Sequence, residues 1–288
     1  MLQNITSYGW DVDCFMFPKL IVVKFGGSCL RDLPAIEIIA DIIVARKRTI
    51  QGALLVVVSA LYGLTDQLLA LSQCASSALL DRESDMLISI GERMTMALLA
   101  MSLIKRGESA ISFTGSQAGI ITCSHFGEAR ILDVRPKRLC THICSGKVVI
   151  VAGFQGMSRS GEVTTLGRGG SDVTAVALGI SLGAEIVELY KDVDGIFTSD
   201  PKVNFFAKKF TSLSYEEAEK IVRKSGGRII HPRALSLASN NNVPLGIRSF
   251  CCPNKLGTKI CMQKKGQKKK KGEHSVVYEK PFCPPHIE

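Results

Sequence analysis

The sequence predicts an α/β protein with a mainly parallel central sheet covered by helices on both faces. Three observations carry this expectation. Continuous apolar runs of strand length, β-branched at their centres, recur along the chain, as expected of strands buried on both faces. Segments with apolar residues at helical spacing alternate with them, the order that builds parallel sheets through crossover helices. Aromatic residues make up only 6% of the 288, so the core must be aliphatic, which suits helix and sheet layers better than an all-β sandwich.

In chain order, residues 1–18 read as an irregular lead-in and 20–23 as the first buried strand, ending at Lys24-Phe25-Gly26-Gly27-Ser28. Residues 34–48 place Ile36, Ile39, Ala40 and Ile43 on one helical face, with Pro34 suited to the first turn. A second strand at 53–58 runs into a loop through Gly63. Residues 85–106 predict one long helix, with Met86, Met94, Met96 and Met101 as core filler and Gly107 as its stop. Strands follow at 109–113 and 147–151, and the segment between them is polar and contains Thr114-Gly115-Ser116-Gln117-Ala118-Gly119. A short strand at 162–165 leads into Leu166-Gly167-Arg168-Gly169-Gly170-Ser171-Asp172, followed by a buried helix of small and aliphatic residues at 173–182. Strands at 185–190 and 244–249 complete the sheet, the latter as its last. No internal repeat of fixed period is present. In sheets of this kind ligands bind at the carboxyl ends of the strands.

The net charge of +10 is uneven: residues 263–288 hold seven lysines against three glutamates, six of the lysines in the run 264–271. Such a charge suits a phosphate-handling protein, and equally a lysine-rich solvated surface. The ten cysteines have no Cys-x-x-Cys spacing and point to a reducing cytoplasm. Cys140-x-His142-x-Cys144 lacks the second half of a zinc site and is read as coincidence, so no metal ligands are expected. Residues 1–18 show no basic region followed by an apolar one, and the longest apolar runs are strand-sized, so a soluble protein with no membrane partner is expected.

Three segments can carry chemistry. Lys24-Phe25-Gly26-Gly27-Ser28 puts a point charge and paired glycines at a strand end, either a phosphate cradle or a tight turn with a solvated lysine. It matches neither the GxxxxGK[ST] nor the GxGxxG pattern. Leu166–Asp172 surrounds Arg168, a planar fork of donors for carboxylate or phosphate, with three glycines. Ser171 and Asp172 then open a helix, as a cap, an anion site or both. The third segment, 190–202, is a surface turn or a nucleotide site in which Asp192 and the Phe197 ring hold the nucleotide and Lys202 its phosphates. No catalytic His and no Ser–His pair is evident in these segments.

These segments, with Gly91-Glu92-Arg93, Thr114–Ile120 and Ser225-Gly226-Gly227-Arg228-Ile229-Ile230-His231-Pro232-Arg233-Ala234, resemble the aspartate kinase branch of the amino-acid kinase family over about residues 19–260. The resemblance implies the three-layer amino-acid kinase fold and transfer of the γ-phosphate of MgATP to the side-chain carboxylate of L-aspartate. That reaction opens lysine (diaminopimelate), threonine and methionine biosynthesis. It implies ATP binding by Lys24, Gly26, Gly27, Ser28, Lys191, Asp192, Phe197, Lys202 and Arg228. Aspartate would be bound by Thr65, Glu92, Arg168, Ser171 and Asp172. Lys24, Arg168 and Asp172 would be catalytic, with Mg²⁺ riding on the nucleotide. His231 is expected to be structural. The family more often has Tyr at 197 and Lys at 228. A homodimer is implied by the same resemblance.

The resemblance further implies a catalytic domain at 19–262 and, at 263–288, a basic linker with a truncated ACT-like remnant whose opening strand is similar to 274–280. Either feedback insensitivity or impaired assembly is expected of such a chain. The alternatives are another acceptor within the same fold, a non-catalytic nucleotide- or amino-acid-binding homologue, and nucleic-acid binding through the lysine run, against which a solvated tail is preferred.

Overall fold

In the computed structural model, which describes residues 19–75, 82–199, 201, 203–227, 229–262 and 276–280, the run Leu20–Phe25 forms β1, buried along its whole length. A 3-10 turn (Gly27–Cys29) follows, then α1 (Leu33–Ile50), β2 (Ala53–Val58), α2 (Leu64–Ala75), α3 (Arg82–Ile88) and α4 (Ile90–Lys105). The middle of the chain supplies β3 (Ala110–Phe113), β4 (Ile120–Thr122), β5 (Ile131–Val134), α5 (Lys137–Cys144), β6 (Val148–Ala152), β7 (Gln155–Ser158) and β8 (Val163–Thr165). Then come α6 (Gly170–Ser181), β9 (Ile186–Lys191), β10 (Ser212–Leu213), α7 (Tyr215–Lys224), α8 (Pro232–Asn241), β11 (Leu245–Ser249) and β12 (Leu256–Ile260).

Eight strands form the main sheet in the order β10-β12-β11-β9-β1-β2-β6-β3, parallel throughout except for the β11–β12 pair. Strand alternation divides the core in two. Leu20 and Val22 of β1, Leu55 and Val57 of β2, and Val187 and Leu189 of β9 face α6 and α8. Ile21, Val23, Phe25, Val56, Val58 and Tyr190 face α1 and α4. Lys24 continues the first set, so its side chain leaves the sheet on the α6 face. Buried Glu188 of β9 accepts from Arg46 of α1 at 2.6 Å and from Arg248 of β11 at 2.9 Å, tying the other face together. The three-layer α/β expectation therefore holds.

Helix starts follow ordinary capping chemistry. Asp32 caps α1 by accepting from the Ala35 amide at 2.8 Å, with Pro34 in the first turn, and Ser214 with Glu217 forms a capping box on α7.

Four sequence expectations need correction. The single helix expected at 85–106 is two helices broken at Ser89, whose hydroxyl donates to the Met86 carbonyl. Of its methionines, Met96 is buried, whereas Met94 and Met101 are exposed, because only one stripe of α4 faces the sheet. The polar segment between β3 and β6 is not mere loop: β4 and β5 join β7 and β8 in a second, four-stranded sheet in the order β5-β4-β7-β8. The strand at 244–249 is not the last, since β12 pairs antiparallel with it. Arg82–Lys105 taken whole is long and apolar enough to cross a membrane by length and composition, yet half of its most apolar window is buried inside this fold.

Asp85 ties α3 to the small sheet. Wholly buried on α3, it accepts from the Thr165 amide and hydroxyl, both at 2.7 Å, and from the Gly127 amide at 3.0 Å. Asp85→Ala strands those donors in the interior, so it should cost about 2–4 kcal/mol. A fall in the urea midpoint at unchanged slope will measure it, and an unchanged midpoint refutes the assignment.

Candidate active site

Three elements end at one point. β1 delivers Lys24, β9 delivers Lys191, and the first turn of α6 delivers Asp172, all at the carboxyl edge of the main sheet where β1 lies between β2 and β9. Lys24 Nζ lies 2.6 Å from Asp172 Oδ1, and Lys191 Nζ 3.1 Å from Oδ2. The side chains of Lys24 and Asp172 are 6% and 5% exposed. Burial opposes ionisation of Asp172, but the two ammonium groups outweigh it and hold its carboxyl well below the usual range. Lys24 is drawn downward by burial, which Asp172 only partly offsets, and Lys191 pushes it the same way. Two ammoniums on one carboxylate leave a net positive charge in a nearly dry site, where it acts far more strongly than in water. The turn expected at Lys24 thus holds a buried, paired lysine rather than a solvated one.

The glycine pair sits directly above. A Cβ at Gly26 would stand 3.3 Å from Lys24 Nζ, and Gly27 faces the Ala60 carbonyl. Gly27, Ser28 and Cys29 then form the 3-10 turn, with Lys191 and Asp192 within electrostatic reach of Cys29. Asp192 itself is exposed.

Glu92 comes from the other face. α4 approaches the loop after β2 so closely that a Cβ at Gly91 would lie 2.8 Å from that of Ala60. The missing side chain lets Glu92 Oε1 accept from the Ala60 amide at 3.0 Å. Its Oε2 is buried without a hydrogen-bond partner among the described residues. Burial pushes its carboxyl up from 4.5 to about 7, opposed by the Ala60 amide and, more weakly, by Lys24. A buried, unpartnered carboxylate oxygen near neutrality is an open place for a cation. Thr65, half-buried, stands in the first turn of α2 just beyond this loop.

The Leu166–Asp172 loop closes the site. Gly169, the residue before α6, has φ +73° and lies against His231, whose ring a Cβ there would strike. Ser171 packs on Gly153, while Arg168 is exposed. His231 is lowered by burial and by Arg233, and its Nδ1 is buried without a hydrogen-bond partner among the described residues. Phe154, opposite, holds φ +67°, a strained value for a ring-bearing residue, and its carbonyl accepts from Leu166 at 2.9 Å.

The structure therefore brings together Lys24, Gly26, Gly27, Glu92, Asp172 and Lys191. Phe197 lies farther along the strand exit, bridged to Lys209. Lys202 and Arg228 lie outside the described residues. Among those described, no cluster of His, Cys, Asp or Glu has metal-site geometry, and the cysteines are free thiols. The sequence reading gave Asp85 no role, although a carboxylate inside an apolar helical stripe was a usable signal.

Comparison with known proteins adds the following. The model of the amino acid kinase family matches residues 19–249. The aspartokinase of Mycobacterium tuberculosis is 47% identical over 232 residues, which are 80% of this chain and 54% of that protein. The crystal structure of aspartate kinase from Synechocystis superposes with a TM-score of 0.75 at 38% identity, covering 86% of this chain and 40% of that one. Aspartokinase III of E. coli, solved with aspartate and ADP, gives 0.71 at 26% identity, covering 86% and 66%. The chain spans about half the length of the curated relatives it matches.

The Glu92 carboxyl has a signature of its own in the protein without ligand. Its folded pKa is raised above the unfolded value, so between pH 4.5 and about 7 the folded state holds the extra proton. Stability must therefore fall as pH rises through that window and level off above it. Glu92→Gln keeps an acceptor for Ala60 and removes the ionisation, so it should match the parent at pH 4 and exceed it by about 3 kcal/mol at pH 8. Parallel unfolding curves for the two proteins at both pH values would overturn the assignment.

Proposed function

The chain belongs to the amino acid kinase family, and we propose that it transfers the γ-phosphate of ATP to the side-chain carboxylate of L-aspartate, giving 4-phospho-L-aspartate. The observation that carries this reading is the net cationic cluster of Lys24, Asp172 and Lys191 at the sheet edge, beside a buried Glu92 oxygen with no hydrogen-bond partner among the described residues. Phosphoryl transfer demands mainly positioning and neutralisation of oxygens rather than proton removal. A site built on two lysines fits a nucleophile that is already ionised.

In this reading Lys24, Gly26, Gly27 and Ser28 hold the ATP phosphates, and Lys24 meets the charge that grows on the transferring group. Asp172 sets the position of both lysine ammoniums. Lys191, Asp192, Phe197, Lys202 and Arg228 line the nucleotide. Glu92 takes the α-ammonium of aspartate, Arg168 a carboxylate, and Thr65 and Ser171 flank it. Mg²⁺ would be held chiefly by the nucleotide and would neutralise its phosphate oxygens. The catalytic unit is assigned to residues 19–262, and the first committed step of aspartate-derived amino-acid synthesis is the reaction's place. Support comes from the aspartokinases of similar sequence and from the E. coli structure with aspartate and ADP.

The direct test is trapping of the acyl phosphate with hydroxylamine. Hydroxamate should require ATP, Mg²⁺ and L-aspartate, and Lys24→Ala should lower kcat by about 10²–10³. Folded, nucleotide-binding protein that forms none would instead be a binding homologue. A second readout is protonic. An ammonium arriving at Glu92 ionises a carboxyl that is about half protonated at pH 7, so aspartate binding should release roughly half a proton. Calorimetry in two buffers of different ionisation enthalpy measures this, and Glu92→Gln should abolish it.

A further inference from the structure

Residues 276–280 dock on the domain as a short strap. Val277 and Asn241 of α8 exchange two hydrogen bonds, at 2.8 and 2.9 Å. The Tyr278 ring packs on the core and its hydroxyl lies beside Ser181, at the end of α6. The Glu279 amide donates to the Ile131 carbonyl of β5 at 3.1 Å, and the Ile131 amide donates back to Glu279 Oε2 at the same distance. Glu279 then grips Arg233, in the first turn of α8, in a bidentate pair: Nε to Oε1 at 2.7 Å and Nη2 to Oε2 at 2.9 Å. Both side chains are largely buried, at 17% and 11% exposed.

A further donor of that guanidinium reaches the Leu166–Asp172 loop. Arg233 Nη1 donates to the Leu166 carbonyl, and Nη2 also donates to the Ala129 carbonyl at 3.1 Å. Leu166 immediately precedes Gly167-Arg168-Gly169, where Gly167 and Gly169 both have positive φ and no side chain to anchor them. Such a hinge-like pair keeps one shape only if its ends are fixed from outside. Asp85 fixes Thr165, Phe154 fixes the Leu166 amide, and Arg233 fixes the Leu166 carbonyl. Lysine in place of Arg233 has too few donors in one plane for this fork.

We propose that Arg233, oriented by Glu279, is a positioning residue for the Leu166–Asp172 loop, acting on the acceptor site through the Leu166 carbonyl. The kinetic part of this rests on the function proposed above; the structural part does not. Three consequences follow. Loss of Glu279 loosens the loop that carries Arg168, so acceptor binding suffers before nucleotide binding. Arg233 loses its orientation whenever Glu279 is lost. The double variant therefore fares no worse than the Arg233 variant alone.

Hydrogen–deuterium exchange on the full chain tests the structural part without reference to activity. The Leu166, Gly170 and Asp172 amides are hydrogen-bonded, so their exchange reports opening of the loop. In Glu279→Ala it should quicken by about tenfold, and in the gentler Glu279→Gln by less, while β1 and β2 stay protected. Unchanged exchange in either folded variant overturns the proposal. If hydroxamate formation is present in the parent, Glu279→Ala should raise the aspartate KM about fivefold and leave the ATP KM within twofold. Equal rises in both constants, or additive effects in Glu279→Ala with Arg233→Ala, would also overturn it. Failure of the parent to make hydroxamate would count against the proposed function and leave the exchange experiment to decide the strap.

Discussion

One buried carboxylate shared by two ammonium groups holds this molecule in its working shape. Asp172 is brought from α6 to Lys24 of β1 and Lys191 of β9, and none of the three is tolerable in that nearly dry place alone. Desolvation of each charge costs several kcal/mol, so the contact exists only when all three segments are in register. The sheet order follows from the same constraint, since β9 must lie beside β1 for Lys191 to reach Asp172. Because the cations of this trio outnumber its one anion, the cluster has the sign that a phosphate-bearing ligand complements.

The supporting structure keeps side chains out of the way. α6 is built almost wholly from small and aliphatic residues and is buried through most of its length, so its start is held by packing rather than by a cap. On the opposite face the same economy operates at Gly91, where an absent Cβ lets a carboxylate cross the sheet edge to the Ala60 amide. Polar anchors also hold the backbone where it turns without support, at Asp85 beneath Thr165 and at Arg233 beside Leu166. The aliphatic core and the sparse buried charges are parts of one arrangement. Rigid packing places few polar groups, and each of those carries a specific position.

Much of this was legible in the residues, for identifiable reasons. The strands around Val22, Val56, Val149 and Val187 are buried on both faces and so announce themselves as unbroken apolar runs. Of the second sheet only β8 showed, as the short strand expected at 162–165; the rest stayed hidden because β4 has three residues and β7 is Gln-Gly-Met-Ser, too short and too polar for any period to show. β12, Leu-Gly-Thr-Lys-Ile beside a turn, shows neither an unbroken apolar run nor a clean alternation, and its pairing with β11 is irregular. The break at Ser89 left no mark, since serine is neutral enough to sit within a helix. Lys24, Glu92 and Asp172 could be singled out by type and motif. That Asp172 answers two lysines, and that Glu92 keeps one oxygen unpartnered, are facts of distance that no local pattern encodes.

The interruption at Ser89 has a consequence for how such a chain can vary over evolutionary time. Asp85 serves the small sheet from one side of it and Glu92 serves the large sheet from the other, seven residues on and so nearly in phase around a helix of 3.6 residues per turn. A single inserted or deleted residue between them turns one carboxylate by about 100° relative to the other, carrying it off its partner. Substitutions along this stretch can accumulate on its exposed stripe, as Met94 and Met101 illustrate, but its length is fixed. The helix pair works as a ruler, and lineages carrying it are free to change its markings but not its scale.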